Sequence, residues 1–109
     1  MNLDYLNKKC KPCEGGTARM TEAQIREALQ KLSGWSYENG VIVRTFTFKN
    51  YYQTVSFVNA VAWIAHQEDH HPDIAFDYKT CRVVYSTHAI GGISENDFIC
   101  AAKINALLS

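Results

Sequence analysis

The sequence predicts an α+β domain, a four-stranded, mainly antiparallel sheet with helices on one face, in the order α-β-β-α-β-β-α. Three observations carry this. Two capping-box patterns, Thr21 with Gln24 and Ser94 with Asp97, open segments with helical apolar spacing. A long segment from Asn50 to about Asp69 also repeats apolar residues at helical intervals. Short β-prone runs stand in pairs on either side of it, the first pair joined by Asn39-Gly40.

Residues 1–20 hold Lys, Gly and Cys without apolar periodicity and are expected to form a flexible N-terminal lead, leaving residues 21–109 as the single domain. After Thr21, the positions Ile25, Ala28, Leu29 and Leu32 make one helical face until Ser33-Gly34 stops it. Trp35 to Glu38 and Val41 to Lys49 read as a hairpin, because Asn39-Gly40 supplies the positive φ angles of a type I′ turn. In its second strand Ile42, Phe46 and Phe48 share a face with Arg44, and Val43, Thr45 and Thr47 share the other.

The central helix places Tyr51, Val55, Val58, Ala62 and Ala65 on a face expected to be buried, with Phe57, Val61 and Ile64 as a second apolar stripe. So wide an apolar surface is expected to be covered on more than one side, by the sheet and by another subunit. Pro72 forces an extended conformation on the residue before it, so the helix ends by His71. Ile74 to Tyr78 and Arg82 to His88 read as two further strands around a turn at Lys79-Thr80-Cys81. Gly91-Gly92 breaks the chain, and Ser94 opens a last helix through Phe98, Ile99, Ala101, Ala102, Ile104 and Leu108. Trp35 and Trp63 read as core or interface aromatics.

Composition narrows the function. Eleven Lys plus Arg balance eleven Asp plus Glu, so no net positive field draws in a phosphate backbone, and no nucleic acid partner is expected. No apolar run approaches the ~18 residues of a membrane span, and the start MNLDYLNKKCKPCEGG lacks the apolar core of a secretory signal. A cytoplasmic protein is expected. Cys10, Cys13, Cys81 and Cys100 are too sparse for a disulfide framework and read as reduced thiols. Cys10 and Cys13 form a lone CxxC, half of a zinc pattern without its other half, and read as a mobile, redox-sensitive tail.

Three of the four histidines lie in the stretch His66-Gln67-Glu68-Asp69-His70-His71-Pro72. If the central helix reaches His70, then His66 and His70 share one face a turn apart, with His71 about 100° further round. His88 is expected at a strand end, on the face of Val84 and Ser86, so that all four rings meet at one end of the sheet. Such a cluster admits three readings. Histidines at i, i+4 form a zinc pair, although Gln67 stands where the helical zinc pattern has Glu. Histidines at a helix end also interact with the helix dipole and solvent. Rings that titrate near neutrality can, as a third possibility, both give and take protons, as a dehydration requires.

From His66 the chain has the form H-x3-H-H-P-x5-Y-x9-H-x8-D, with Tyr78, His88 and Asp97 at the later positions and Ser86-Thr87-His88 preceding G-G-I-S-E-N-D. This resembles the signature of the pterin-4a-carbinolamine dehydratase family. The resemblance runs from about Met20 to the end and includes the R-T-F-x-F strand at Arg44 to Phe48. It implies dehydration of 4a-hydroxytetrahydropterin to quinonoid dihydropterin and water, in tetrahydrobiopterin recycling beside an aromatic amino acid hydroxylase. It implies no cofactor, no metal, and a homodimer or homotetramer.

Carried over by matching positions, the resemblance makes His70, His71 and His88 the catalytic set. His70 and His88 are then the acid/base pair, and His71 binds and orients the pterin. His66, Asp69, Pro72, Ser86 and Thr87 become substrate-binding positions. Asp69 would hold an imidazole in the useful tautomer, and Pro72, Ser86 and Thr87 would shape the pocket with main-chain hydrogen bonds. Asp97 reads as a capping partner and Tyr78 as packing. The chain departs from better-known members at His66, where they carry Glu, and at Ile74, where many carry Trp. The alternatives are a non-catalytic dimerisation or interaction protein using the apolar helix, and a histidine metal-binding module.

Overall fold

The capping pattern at Thr21 closes as read: the Thr21 hydroxyl accepts the Gln24 N–H at 3.1 Å, and Gln24 Oε1 accepts the Thr21 N–H at 2.8 Å. A computed structural model describes residues 3–12 and 18–109. The chain runs through α1 (Leu3–Leu6), α2 (Glu22–Gln30), β1 (Ser36–Glu38), β2 (Val41–Thr47), α3 (Tyr51–Glu68), β3 (Asp73–Phe76) and β4 (Thr80–Tyr85). A short 3-10 turn at His88–Ile90 precedes α4 (Glu95–Ala106). From α2 onward this is the expected α-β-β-α-β-β-α order. No helix among the described residues is long and apolar enough to cross a membrane.

The sheet has the order β1-β2-β4-β3 and every pairing is antiparallel. Asn39 (φ 51°) and Gly40 (φ 80°) both adopt positive φ, giving the type I′ turn that sets Glu38 opposite Val41. The second hairpin turns earlier than expected. Asp77 Oδ1 accepts the Lys79 and Thr80 N–H groups and the Thr80 hydroxyl, so β3 stops at Phe76 and Thr80 already belongs to β4.

Ile42 and Phe46 of β2 with Cys81, Val83 and Tyr85 of β4 form the inner face, covered by Ile25 and Ala28 of α2, Phe57, Val61 and Ile64 of α3, and Phe98, Ala101 and Ile104 of α4. Phe57 anchors it, its ring 4.6 Å from Phe46 and 4.9 Å from Phe48. Trp35 is a core residue whose Nε1–H donates to Asn105 Oδ1 at 2.8 Å. Arg44 shares the Phe46 face, as alternation required, by laying its guanidinium 4.4 Å from that ring and donating to Asn105 Oδ1 and the Ser33 carbonyl.

Two expectations change. The buried face of α3 is Thr54, Phe57, Val61, Ile64, Ala65 and Glu68, so the stripe read as secondary is the core. Tyr51 and Ala62 are exposed, and Val55 and Val58 are half-buried. Both stripes have helical spacing, and the bulk of Phe57 and Ile64 fills the space over the sheet. The lead, expected to be loosely held, carries α1, whose Tyr5 stacks on Phe98 at 5.7 Å. Its backbone is tied down further on: the Cys10 N–H donates to Glu68 Oε1, and Lys11 exchanges hydrogen bonds with the Asn96 side chain. Cys13, the other half of the CxxC, lies outside the described residues.

Candidate active site

The site begins where α3 ends. Asp69 takes the left-handed conformation (φ 52°, ψ 44°), and the His70 N–H returns to the Ala65 carbonyl at 3.1 Å, closing a Schellman-type turn. Leaving the helical path here separates His70 from His66, so the expected shared face is not formed. His66 remains on the exposed surface of α3 with its ring 5.4 Å from Trp63, while His70 turns inward. Pro72 then sends the chain extended into β3.

His70 is 7% exposed and its Nε2 lies 2.6 Å from Oδ1 of Asp97, which is fully buried. A carboxylate only accepts, so Nε2 carries the proton. The other carboxylate oxygen accepts the Thr87 hydroxyl at 2.8 Å and the Ser94 N–H at 2.9 Å. Since the single Thr87 hydroxyl proton goes to Asp97, the Ser94 hydroxyl donates to Thr87 Oγ1 across their 2.8 Å contact. On the opposite side Tyr85 stacks its ring on His70 at 5.1 Å and donates its hydroxyl to the His70 carbonyl at 2.9 Å. The ring is thereby held in plane, tautomer and depth.

Burial is the largest influence on His70 and pushes its pKa down. The Asp97 hydrogen bond and charge, with smaller contributions from Cys100 and Asp69, outweigh it, and the net displacement is upward. His70 is thus biased toward imidazolium within the protein. In front of it an open pocket of about 370 Å³ is lined by Ala62, Ala65, His66, Asp69, His70, His71, Pro72 and Ile74. His71 and His88 are both exposed, their rings 6.5 Å apart and nearly perpendicular.

The structure therefore brings His66, Asp69, His70, His71 and Pro72 to one pocket and sets His88 beside His71. Several placements differ from expectation. β4 ends at Tyr85, and His88 opens the 3-10 turn instead of ending a strand, because the Thr87 and Gly92 backbones pair and fold the chain back. Thr87 is buried, its N–H and C=O engaged with Gly92 and its hydroxyl with Asp97, so it supports His70 from behind and offers no main-chain group to a ligand. Ser86 is half-buried and does not line the pocket. Asp69 stands exposed at the pocket, and the carboxylate that holds an imidazole is Asp97.

In the sequence Asp97 closes the histidine motif but reads as a capping residue. It does fill the capping box at Ser94 with one oxygen, which leaves the other for His70. Among the described residues no group of three or more His, Cys, Asp or Glu side chains is placed to hold a metal ion.

Fold and site together define an α+β domain with an open histidine-rich pocket backed by a buried carboxylate. The family model for pterin 4 alpha carbinolamine dehydratase matches residues 18–107. A relative from Nitrosospira multiformis, provisionally named a pterin-4-alpha-carbinolamine dehydratase, is 58% identical over 104 residues, covering 95% of this chain and 92% of its own. A relative from Nitrosomonas eutropha with the same name is 58% identical over 106 residues, covering 96% and 94%. The crystal structure of a transcriptional coactivator/pterin dehydratase from Brucella melitensis superposes with a TM-score of 0.81 at 34% identity, covering 84% of this chain and all of that one. A pterin dehydratase-like protein described as a RuBisCO assembly factor in the alpha-carboxysome shares the fold alone, with a TM-score of 0.56 at 24% identity over 67% of this chain and 84% of its own. The chain belongs to the pterin 4 alpha carbinolamine dehydratase family.

Proposed function

We propose that this protein dehydrates 4a-hydroxytetrahydropterin to quinonoid dihydropterin and water, serving tetrahydrobiopterin recycling, by histidine general acid/base catalysis without a cofactor. The observation that carries the reading is the buried His70–Asp97 pair behind a pocket whose outer side holds His71, adjoined by His88. Losing hydroxide from a saturated ring carbon requires a proton on the departing oxygen. The neighbouring ring N–H must release its proton as the carbon–nitrogen double bond forms. His70, kept toward imidazolium by Asp97, supplies the acid character, His88 takes the ring proton, and His71 orients the pterin. The proton gained by one ring and lost by the other balances through solvent at the exposed His71 and His88.

His66 and Ile74 bound the same pocket and take the places of the carboxylate and the flat wall that the resemblance leads one to expect. Substrate contact there is softer and less charged. The chain also self-associates, in this reading, through the outer side of α3, where Tyr52 is 80% and Trp63 60% exposed.

The test is the decay of freshly generated 4a-hydroxytetrahydropterin followed by absorbance. Wild-type protein should accelerate it, and His70→Ala should not. Decay at the spontaneous rate with wild-type protein would leave the fold without this activity.

A further inference from the structure

The N-terminal segment brings a cysteine to a second cysteine far away in sequence. Cys10 Sγ lies 3.6 Å from Cys100 Sγ, across 90 positions of chain. Neighbouring contacts hold the two in register. The Cys10 N–H is bound to Glu68, Lys11 and Asn96 exchange backbone and side-chain hydrogen bonds, and Lys103 Nζ donates to the Leu6 carbonyl. Cys100 is fully buried within α4, whereas Cys10 is half-buried on residues without helix or strand. Both are free thiols.

We propose that Cys10 and Cys100 are a redox pair, a dithiol that closes reversibly to a disulfide and clamps the N-terminal segment onto α4. A disulfide requires the sulfurs at about 2.05 Å, so they must approach by about 1.5 Å, a movement available to the irregular segment around Cys10. Contact with Cys100, and then burial, hold the Cys10 thiol above the usual cysteine value, so the pair reacts slowly and needs an oxidant in excess.

The oxidant is a low-molecular-weight disulfide of the glutathione class. Cys10, the more accessible sulfur, attacks it once its proton has passed to solvent, a step its raised pKa makes slow, and forms a mixed disulfide while the small thiolate released takes up a proton in its place. Cys100 then attacks the Cys10 sulfur as thiolate and expels the second. Two protein thiols and one small disulfide thus become one protein disulfide and two small thiols. Cys100 lies three residues along α4 from Asp97, and its Sγ is 4.0 Å from the His70 carbonyl, so the clamp would close directly behind the site.

The experiment uses the full chain incubated with glutathione disulfide, followed by non-reducing peptide mapping and thermal unfolding. The expected result is a Cys10–Cys100 cross-linked peptide and a Tm raised on the order of 10 °C, because a closed loop of this length constrains the unfolded chain, with both changes reversed by dithiothreitol. Cys13→Ser should keep both changes and Cys10→Ser should lose both. The pairing would be overturned by a Cys10–Cys13 cross-link, by a glutathione adduct on Cys10 that is never displaced, or by an unchanged Tm.

Discussion

Asp97→Asn tests how the buried pair works. The carboxylate serves three donors, with His70 Nε2–H on one oxygen and the Thr87 hydroxyl and Ser94 N–H on the other. An amide of the same shape has one oxygen, so if it keeps Thr87 and Ser94 its NH2 group faces His70, whose ring must change tautomer to accept. The charge that offset burial is gone, and the His70 pKa should fall below its ordinary value. Because shape and most hydrogen bonds survive, the stability cost should be about 2–3 kcal/mol, short of the ~3–5 kcal/mol for leaving a buried charge unpaired. The sign of the pH dependence follows from the upward displacement of His70. In the wild type its stabilisation is fully present below the unfolded value of about 6.5 and is lost as pH rises through the folded value. In the variant a depressed His70 costs stability as pH falls below that same unfolded value. The wild-type advantage should therefore be largest below the unfolded value and shrink as pH rises through the raised folded value. Urea unfolding across this range and NMR titration of the His70 ring measure both quantities. A gap independent of pH, or an unmoved His70 midpoint, would refute the reasoning.

The other expectations follow from the same packing and the same site. His88→Ala should lower turnover by about 10²-fold or more with the circular dichroism spectrum unchanged, whereas His71→Ala should act mainly on KM; unchanged kcat in His88→Ala would remove it from proton transfer. Phe57→Ala, which vacates the space between Phe46 and Phe48, should destabilise by about 3–5 kcal/mol in denaturant titration, and a loss under 1 kcal/mol or so would mean the core collapses around the gap. Glu68→Ala should cost about 1–3 kcal/mol by leaving the part-buried Cys10 N–H without its acceptor, with faster hydrogen exchange at that amide as the local readout. Equal exchange in both proteins would place the N-terminal segment under other control.

Local chemistry was readable wherever neighbours in sequence settle it. Thr21 with Gln24 and Ser94 with Asp97 satisfy orphaned helix N–H groups over three residues, and Asn39-Gly40 reverses the chain within two, so helix starts and the first hairpin need no distant partner. The histidine motif, too, carried the family and most of the pocket. The facing of α3 was not readable in this way. Apolar residues occupy more than one side of it, and only the position of the sheet decided that Phe57, Val61 and Ile64 go inward while Tyr52 and Trp63 stay out.

The same division runs through the site. By itself the sequence determined that several imidazoles gather before Pro72, and that a carboxylate sits at the fourth position of the last capping box. Tertiary structure decided that the left-handed Asp69 swings His70 inward, away from His66, so that it meets Asp97 from 27 residues further along. It also decided that Cys10 meets Cys100. Spacing along a chain records the geometry of helices and turns, but a buried charge finds its partner through the packing of whole elements, and that packing is a property of the assembled core.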